Sequence, residues 1–296
     1  MKENKYAVAI GVFDGLHIGH KTVIEQATAL REEGLHPAVF TFSMTGALKR
    51  GGMLVSDEFK MKLLREMGIE RIESPAFSTF AGMNGERFVT EKLIGEMNAA
   101  AICCGYDFRF GSGRACGTDE LKEICEKHGV KLIVMPKVEL DGEAVSSSRI
   151  RAALEEGDME KVNRMLGWNF SFELEVVHGR KLARSLGFPT LNQRWPGENT
   201  VPRFGVYGSK AYVDGKSYSA VTNIGVKPTV AENGEEGVLA ETHISGYSGD
   251  LYGKKVKVEL LRFLRPEQKF DSIESLKKQM GSDVEQSGKL LKENCK

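Results

Sequence analysis

The chain has 296 residues, of which 41% are hydrophobic and 28% charged, a length and composition suited to two globular cores. Its 41 Lys and Arg balance 41 Asp and Glu, and a formal net charge of zero argues against a protein that wraps nucleic acid through the phosphates. Five cysteines, an odd number without CxxC spacing, support neither a disulfide framework nor a zinc site; no apolar run reaches signal-peptide or membrane-span length, so a cytoplasmic protein without membrane contact is expected.

In chain order, Tyr6–Val12 reads as a short apolar strand, and His20–Glu33 has helical spacing closed by Gly34. Pro37–Phe42 is a second strand, and Ser56–Met67 a helix with Ser56 as N-cap and Gly68 past its end. A helix over Gly85–Met97, a strand over Ala100–Cys104, a helix over Thr118–His128 and a strand over Lys131–Met135 follow. This alternation predicts an α/β domain with a mainly parallel sheet covered on both faces. Ligands in such folds gather at the carboxyl ends of the strands. Ile150–Glu156 and Asp158–Leu166 read as two short helices split by Gly157.

The rhythm changes near Trp168. Phe172–Val177, Val206–Val213, Ser217–Thr222, Ala240–Ser245 and Lys255–Phe263 read as strands, with turn signals at Asp214-Gly215 and Asn233-Gly234. A small antiparallel barrel is expected, closed by a C-terminal helix over Ser272–Lys292. The domains are set at residues 1–168 and 169–296.

Three N-terminal segments carry chemistry. Between the first strand and helix lies Gly11-Val12-Phe13-Asp14-Gly15-Leu16-His17-Ile18-Gly19-His20. Its glycines permit a tight turn, and the helix start offers free N–H groups to an anion. His17 and His20, three apart, share a helix face and can donate to phosphoryl oxygens. Ser146-Ser147-Ser148-Arg149-Ile150-Arg151 puts arginines in a first helical turn, where they are unfavourable unless a polyphosphate offsets them. Gly105-Tyr106-Asp107-Phe108-Arg109-Phe110-Gly111 follows a strand, with aromatics that either fill the core or pack a planar ring.

The C-terminal half has its own set. Gly187-Phe188-Pro189-Thr190-Leu191-Asn192 places Thr190 and Asn192 on one side of an extended chain, as hard oxygen ligands suited to Mg²⁺. Asn223-Ile224-Gly225-Val226-Lys227-Pro228-Thr229 reads as a second loop of similar chemistry, and Glu241 as a carboxylate opening a strand.

The first segment resembles the signature of the HxGH nucleotidyltransferase superfamily, whose domains are Rossmann-like. The C-terminal motifs resemble the riboflavin kinase family, and the order of both sets makes the whole chain resemble the bacterial bifunctional riboflavin kinase/FMN adenylyltransferase (FAD synthetase) family from about Val8 to about Asp283. The resemblance implies phosphorylation of riboflavin by ATP to FMN, then adenylylation of FMN to FAD with release of pyrophosphate. It implies Glu241, His17 and His20 as catalytic residues. It implies ATP binding by Gly11, Phe13, Asp14, Gly15, Gly19, Ser147, Ser148 and Arg151 in one site, and by Gly179, Lys181, Thr190 and Asn192 in the other. Thr190 and Asn192 would hold Mg²⁺; Asp107, Phe108, Arg109, Arg265 and Phe270 would meet flavin. The implied partners are small molecules only, with no nucleic acid and a monomer or weak homo-oligomer.

The chain departs from the family at Thr41–Arg50, which lacks the family's proline and histidine, and at Ala183 and Phe172, where glycines are usual. The first departure leaves open a kinase with weakened or lost adenylyltransferase activity. A nucleotidyltransferase for another acceptor and a flavin-binding regulator without turnover also stay open.

Overall fold

The computed structural model describes residues 4–43, 51–179, 187–227 and 237–293. Lys181, Ala183, the Asn233-Gly234 turn, Cys295 and most of the divergent Thr41–Arg50 segment lie outside the described residues. The chain divides into two compact units, Met1–Ser147 and Ser148–Lys296.

In the first unit, β1 (Tyr6–Ile10), β2 (His36–Phe40), β3 (Arg71–Glu73), β4 (Ala99–Gly105) and β5 (Lys131–Met135) form an all-parallel sheet in the order β3-β2-β1-β4-β5. Alternate residues of each strand enter opposite cores. Ala7, Ala9, Val39 and Ala101 pack with Val23, Ile24 and Ala27 of α1 (Ile18–Ala29) and Leu64 of α2 (Asp57–Glu66). Val8, Ile10, Ala38 and Ile102 face Leu93 and Leu121, the latter on a helix over Thr118–Lys127. Burial on both faces explains why these strands read as unbroken apolar runs.

Helix ends follow their caps. Ser56 Oγ accepts from Phe59 N at 3.2 Å, and Gly34 closes the turn after α1 with φ of 80°. α1 starts two residues earlier than expected because the His17 side chain itself caps it. The expected Gly85–Met97 helix is composite: one α turn, Gly85–Arg87, runs into a π-helix over Phe88–Glu96. β3 and a small hairpin, Glu139–Leu140 with Glu143–Ala144, were not expected.

A helix over Ser147–Glu156, whose first residue is the last of the first unit, leads into the second unit; a helix over Met159–Leu166 follows, ended by Gly167 in the left-handed region. Six strands then close an antiparallel barrel. We number them β8 (Ser171–Val177), β9 (Thr190–Arg194), β10 (Gly205–Val213), β11 (Lys216–Lys227), β12 (Gly237–Ile244) and β13 (Lys255–Arg265), the hairpin strands being β6 and β7; the order is β10-β11-β12-β9-β8-β13. The β10–β11 turn is at Asp214-Gly215, both left-handed, as the sequence indicates. Two expectations are corrected. Asn223–Lys227 is the end of strand β11 rather than a loop, because β12 pairs with it as far as Lys227↔Gly237. Glu241 is the fifth residue of β12 rather than its opening.

The C-terminal helix, Ile273–Glu293, is fastened to the barrel by polar contacts. Ser287 Oγ donates to Ala220 O at 2.6 Å, and the Arg265 guanidinium meets the buried Asp283 carboxylate at 2.8 Å. Inside the barrel, Ser209, Thr222 and Thr242 join hydroxyls at 2.8 and 2.9 Å.

Two outcomes follow. Asp283→Ala leaves the half-buried Arg265 charge without this partner, and the barrel's urea transition, read by tryptophan fluorescence, should lose about 3 kcal/mol; a loss below about 0.5 kcal/mol would match a screened surface pair instead. Burial pushes the Cys103 and Cys104 thiols up to about 12. Both should resist alkylation at pH 8 until the domain unfolds, with the partly exposed Cys116 labelled before either of them.

Candidate functional site

Strand order reverses between β1 and β4, which makes the crevice at their carboxyl ends the natural ligand position of the first unit. The two loops leaving those strands are the ones singled out by sequence, Gly11–His20 and Gly105–Gly111. The first is strained: Phe13 and Leu16 take positive φ of 51° and 44°, with Gly15 at 84° between them. Non-glycine residues in this region each cost about 1–2 kcal/mol, and such strain clusters at functional sites.

Gly11 N donates to Phe40 O at 3.2 Å, tying the loop's start to β2. Asp14 is buried; its carboxylate accepts from Leu54 N at 2.8 Å and its carbonyl from Ser147 Oγ at 2.9 Å. Asp14 therefore latches two neighbouring segments to the loop. His17 Nδ1 accepts from His20 N at 3.2 Å. An amide can only donate, so Nδ1 is unprotonated and the neutral ring carries its proton on Nε2. His20 stacks on His17 at 3.6 Å with planes 17° apart, and the Phe13 ring meets His20 edge-on at 5.4 Å. Gly19 makes room: a Cβ there would lie 3.3 Å from the His17 ring.

Around the second loop, Phe108 and Phe110 stack at 5.6 Å; Phe110 is buried and Phe108 packs against the core, while Asp107 and Arg109 are exposed. On the β2 side, the fully buried Lys60 Nζ donates to Phe42 O at 2.8 Å and pairs with Asp57 at 3.1 Å, and Ser43 Oγ donates to Asp57 at 2.5 Å. This network holds the end of β2, where the divergent segment begins. Sequence reasoning missed it, because a lysine in an amphipathic helix reads as surface.

In the second unit, Ser148 and Arg151 lie in the first turns of the Ser147–Glu156 helix, with Arg151 buried. Strand pairing sets out a polar row on the barrel. Asn192 on β9 is directly opposite Glu241 on β12, which is opposite Asn223 on β11. Directly paired residues share a face, with Cβ atoms about 5 Å apart. Thr190, two residues from Asn192, is opposite His243, whose ring bonds Pro189 O at 3.0 Å. Thr190 and Asn192 line a cavity of about 430 Å³ with Val176, Pro189, Asp250 and Tyr252 among its walls. Asn192 is buried, and a Cβ on Gly179 would fall 2.2 Å from its amide nitrogen, so only glycine leaves space for this side chain. Arg265 makes its bonds to Asp283 and to Pro266 O, and its guanidinium sits 5.7 Å from the Phe270 ring centre.

Among the described residues no cluster of three or more His, Cys, Asp or Glu could hold a metal ion. Thr190 and Asn192 fit a different arrangement, in which two hard neutral oxygens share an ion with water and substrate phosphate. The buried cradle that Gly179 leaves for Asn192 is consistent with such a fixed ligand.

The family model described as FAD synthetase matches residues 1–149, and the one described as riboflavin kinase matches residues 166–291. The bifunctional riboflavin kinase/FMN adenylyltransferase of Bacillus subtilis (strain 168) is 33% identical over 295 residues, 97% of this chain and 92% of that protein. The protein of the same name from Escherichia coli (strain K12) is 31% identical over 288 residues, 93% and 90% of the two chains. A crystal structure named as a macrolide-efflux protein from Streptococcus pneumoniae matches with a TM-score of 0.83 at 29% identity, over 96% of this chain and 94% of that one. The name belongs to that protein; among the described residues here, no helix is long and apolar enough to cross a membrane.

Alanine usually favours a helix over glycine by about 1 kcal/mol. Gly19→Ala should do the reverse, because the methyl group displaces the capping ring. Faster hydrogen exchange at the His20 amide is the expected readout; unchanged exchange would mean that the ring shifts without losing the cap.

Proposed function

The chain belongs to the bifunctional riboflavin kinase/FMN adenylyltransferase family, and on that premise we propose how its residues divide the work of the two reactions. The barrel phosphorylates riboflavin to FMN, and the parallel-sheet domain adenylylates FMN to FAD. Reactions of both families generally use a divalent metal ion; we take it to be Mg²⁺, because the oxygen donors Thr190 and Asn192 suit a hard cation that keeps phosphate and water ligands.

The register that seats Glu241 beside Asn192 is the observation that carries the kinase assignment. A neutral alcohol must lose a proton to accept a phosphoryl group, and Glu241 takes it from the riboflavin 5′-hydroxyl. Asn192 and Thr190 hold the metal-bound triphosphate one strand away, with Gly179 and Lys181 of the adjoining segment as further ATP contacts. A divalent ion held by Thr190 and Asn192 would neutralise charge on the transferring phosphoryl group. Phe270 packs the flavin ring, and Arg265 acts through Phe270 and the Asp283 ion pair, which supports a positioning role.

Adenylylation needs no base, because its nucleophile is already an anionic phosphate. Here alignment and charge stabilisation suffice. His17 donates from Nε2 to the α-phosphate with His20 stacked beside it, and Gly11, Phe13, Asp14, Gly15 and Gly19 form the loop that receives ATP. Ser147, Ser148 and Arg151 serve the β- and γ-phosphates, as the family resemblance implies. Asp107, Phe108 and Arg109 serve the flavin side. We keep residues 1–168 and 169–296 as the functional halves and assign the enzyme to the cytoplasm. Free thiols at Cys103, Cys104, Cys116 and Cys125 support that compartment. The divergent Thr41–Arg50 segment favours one second reading, a kinase whose adenylyltransferase half is slow.

Purified protein with riboflavin, ATP and Mg²⁺ should yield FMN and then FAD on chromatography. Glu241→Gln should lower FMN formation by about 10²–10⁴-fold while FAD formation from supplied FMN continues; near-normal FMN formation would remove Glu241 as the base. Pyrophosphate release from FMN plus ATP decides between the two readings. In Gly179→Ala the displaced Asn192 should raise KM for ATP in the kinase reaction about tenfold or more, with adenylylation unaffected.

A further inference from the structure

Glu267, just past β13, reaches back over β11. Asn223 Nδ2 donates to Glu267 Oε1 at 2.9 Å, and a Cβ on Gly225 would fall 2.5 Å from the same oxygen. A carboxylate accepts hydrogen bonds and does not donate them, so it fixes which end of the amide faces it. Asn223 Oδ1 must then point the other way. That oxygen is buried, and among the described residues it has no partner. A buried acceptor without a donor carries a desolvation cost that an arriving donor relieves.

Asn223 occupies the third place in the polar row, directly opposite Glu241 and on the side away from Asn192. The row thus has a nucleotide side and a far side, with the base between them. A phosphate oxygen has no proton to offer an amide oxygen at neutral pH. An alcohol does. Neighbouring strands are roughly 4.8 Å apart, a separation that hydroxyls along an extended polyol span within two or three carbons.

We infer that Asn223 is a substrate-binding residue of the kinase site: its Oδ1 accepts a hydrogen bond from a hydroxyl of the riboflavin ribityl chain, presenting the terminal hydroxyl to Glu241, and Glu267 holds the amide in that orientation. The inference rests on the kinase reading of Glu241. It makes Asn223 a determinant of which alcohols the barrel accepts, and it makes Glu267 a positioning residue that need not touch the substrate.

The test uses the full chain, ATP, and riboflavin beside analogues in which one ribityl hydroxyl at a time is replaced by hydrogen. Wild type should lose about tenfold in kcat/KM for one analogue. Asn223→Ala should lose a similar factor on riboflavin and treat riboflavin and that analogue alike, with KM for ATP within about twofold of wild type. Glu267→Gln, which lets the amide turn over, should narrow the same discrimination without changing the identity of the analogue. A urea transition of the barrel, read by tryptophan fluorescence and unchanged from wild type, reports that each variant barrel is folded. Full discrimination among analogues in Asn223→Ala, or equal losses for ATP and riboflavin, overturns the inference. Should Asn223→Ala fail to fold, unchanged discrimination in Glu267→Gln overturns it alone. Wild type that forms no FMN sinks the kinase reading itself, a result distinct from phosphorylation that ignores Asn223.

Discussion

In a β-sheet a slip of one residue turns every side chain to the opposite face, and the barrel puts that rule to use. Pairing of β12 with β9 on one side and β11 on the other brings Asn192, Glu241 and Asn223 into one row, although the outer two are 31 positions apart in the chain. Closure of the barrel leaves these strands no freedom to slide, since each is paired on both edges. The buried residues that alternate with the row enforce the same register from within: Leu191 and Thr242 are direct partners, and Thr242 shares a hydroxyl bond with Thr222. Shifting the site by one residue would drive a carboxylate into the core, where an uncompensated charge costs several kcal/mol.

The N-terminal site is built on the opposite plan. Its histidine segment, Gly11–His20, lies within ten consecutive positions, and positioning there comes from a loop held in unfavourable backbone conformations. The strain at Phe13 and Leu16 persists because the ends of the loop are held by β1 and α1, while Asp14 latches Leu54 and Ser147 to its middle. The difference follows the chemistry. A kinase acting on a neutral alcohol needs a base, two ligand sets and an angle between them, which separate strands supply. An adenylyl transfer between phosphates needs concentrated donors, which one loop and a helix start supply.

Legibility in sequence tracks this contrast. The Gly11–His20 loop could be read whole, because its contacts are local and its glycines mark the turn. Most elements of both domains were legible from apolar periodicity, and the Asp214-Gly215 hairpin from its turn residues. β3 was not, since Arg71-Ile72-Glu73 offers one apolar residue to a sheet edge. The π-helix after Arg87 leaves no mark that a 3.6-residue period detects. Register is invisible in a single sequence, so Asn223 and Glu241 could be noticed separately but not as neighbours, and the end of β11 looked like a loop because Asn223, Gly225 and Lys227 have little strand propensity. Lys60 and Asp283 escaped for a related reason: a charged residue on a helix is read as solvated until the structure supplies the buried partner.

Arg265 brings these points together. Its position in a motif shared with the riboflavin kinase family led to a flavin contact, but its guanidinium is committed to Asp283 and to Pro266 O, with Phe270 alongside. A family motif marks that a residue matters and does not say through which atoms. Asp283 belongs to the C-terminal helix, outside every segment that reads as a site, so the helix that anchors the barrel also fixes the arginine, and the arginine fixes the stretch carrying Glu267 and Phe270. Through Glu267 that chain of contacts reaches Asn223, and through the β11–β12 register it ends beside Glu241. The terminal helix is therefore coupled to the Asn223 side of the row by named bonds, whereas the Asn192 side is set by Gly179 and β9. On the roles proposed for Asn223 and Asn192, damage to the helix clamp should weaken the grip on the acceptor before it weakens the grip on the nucleotide.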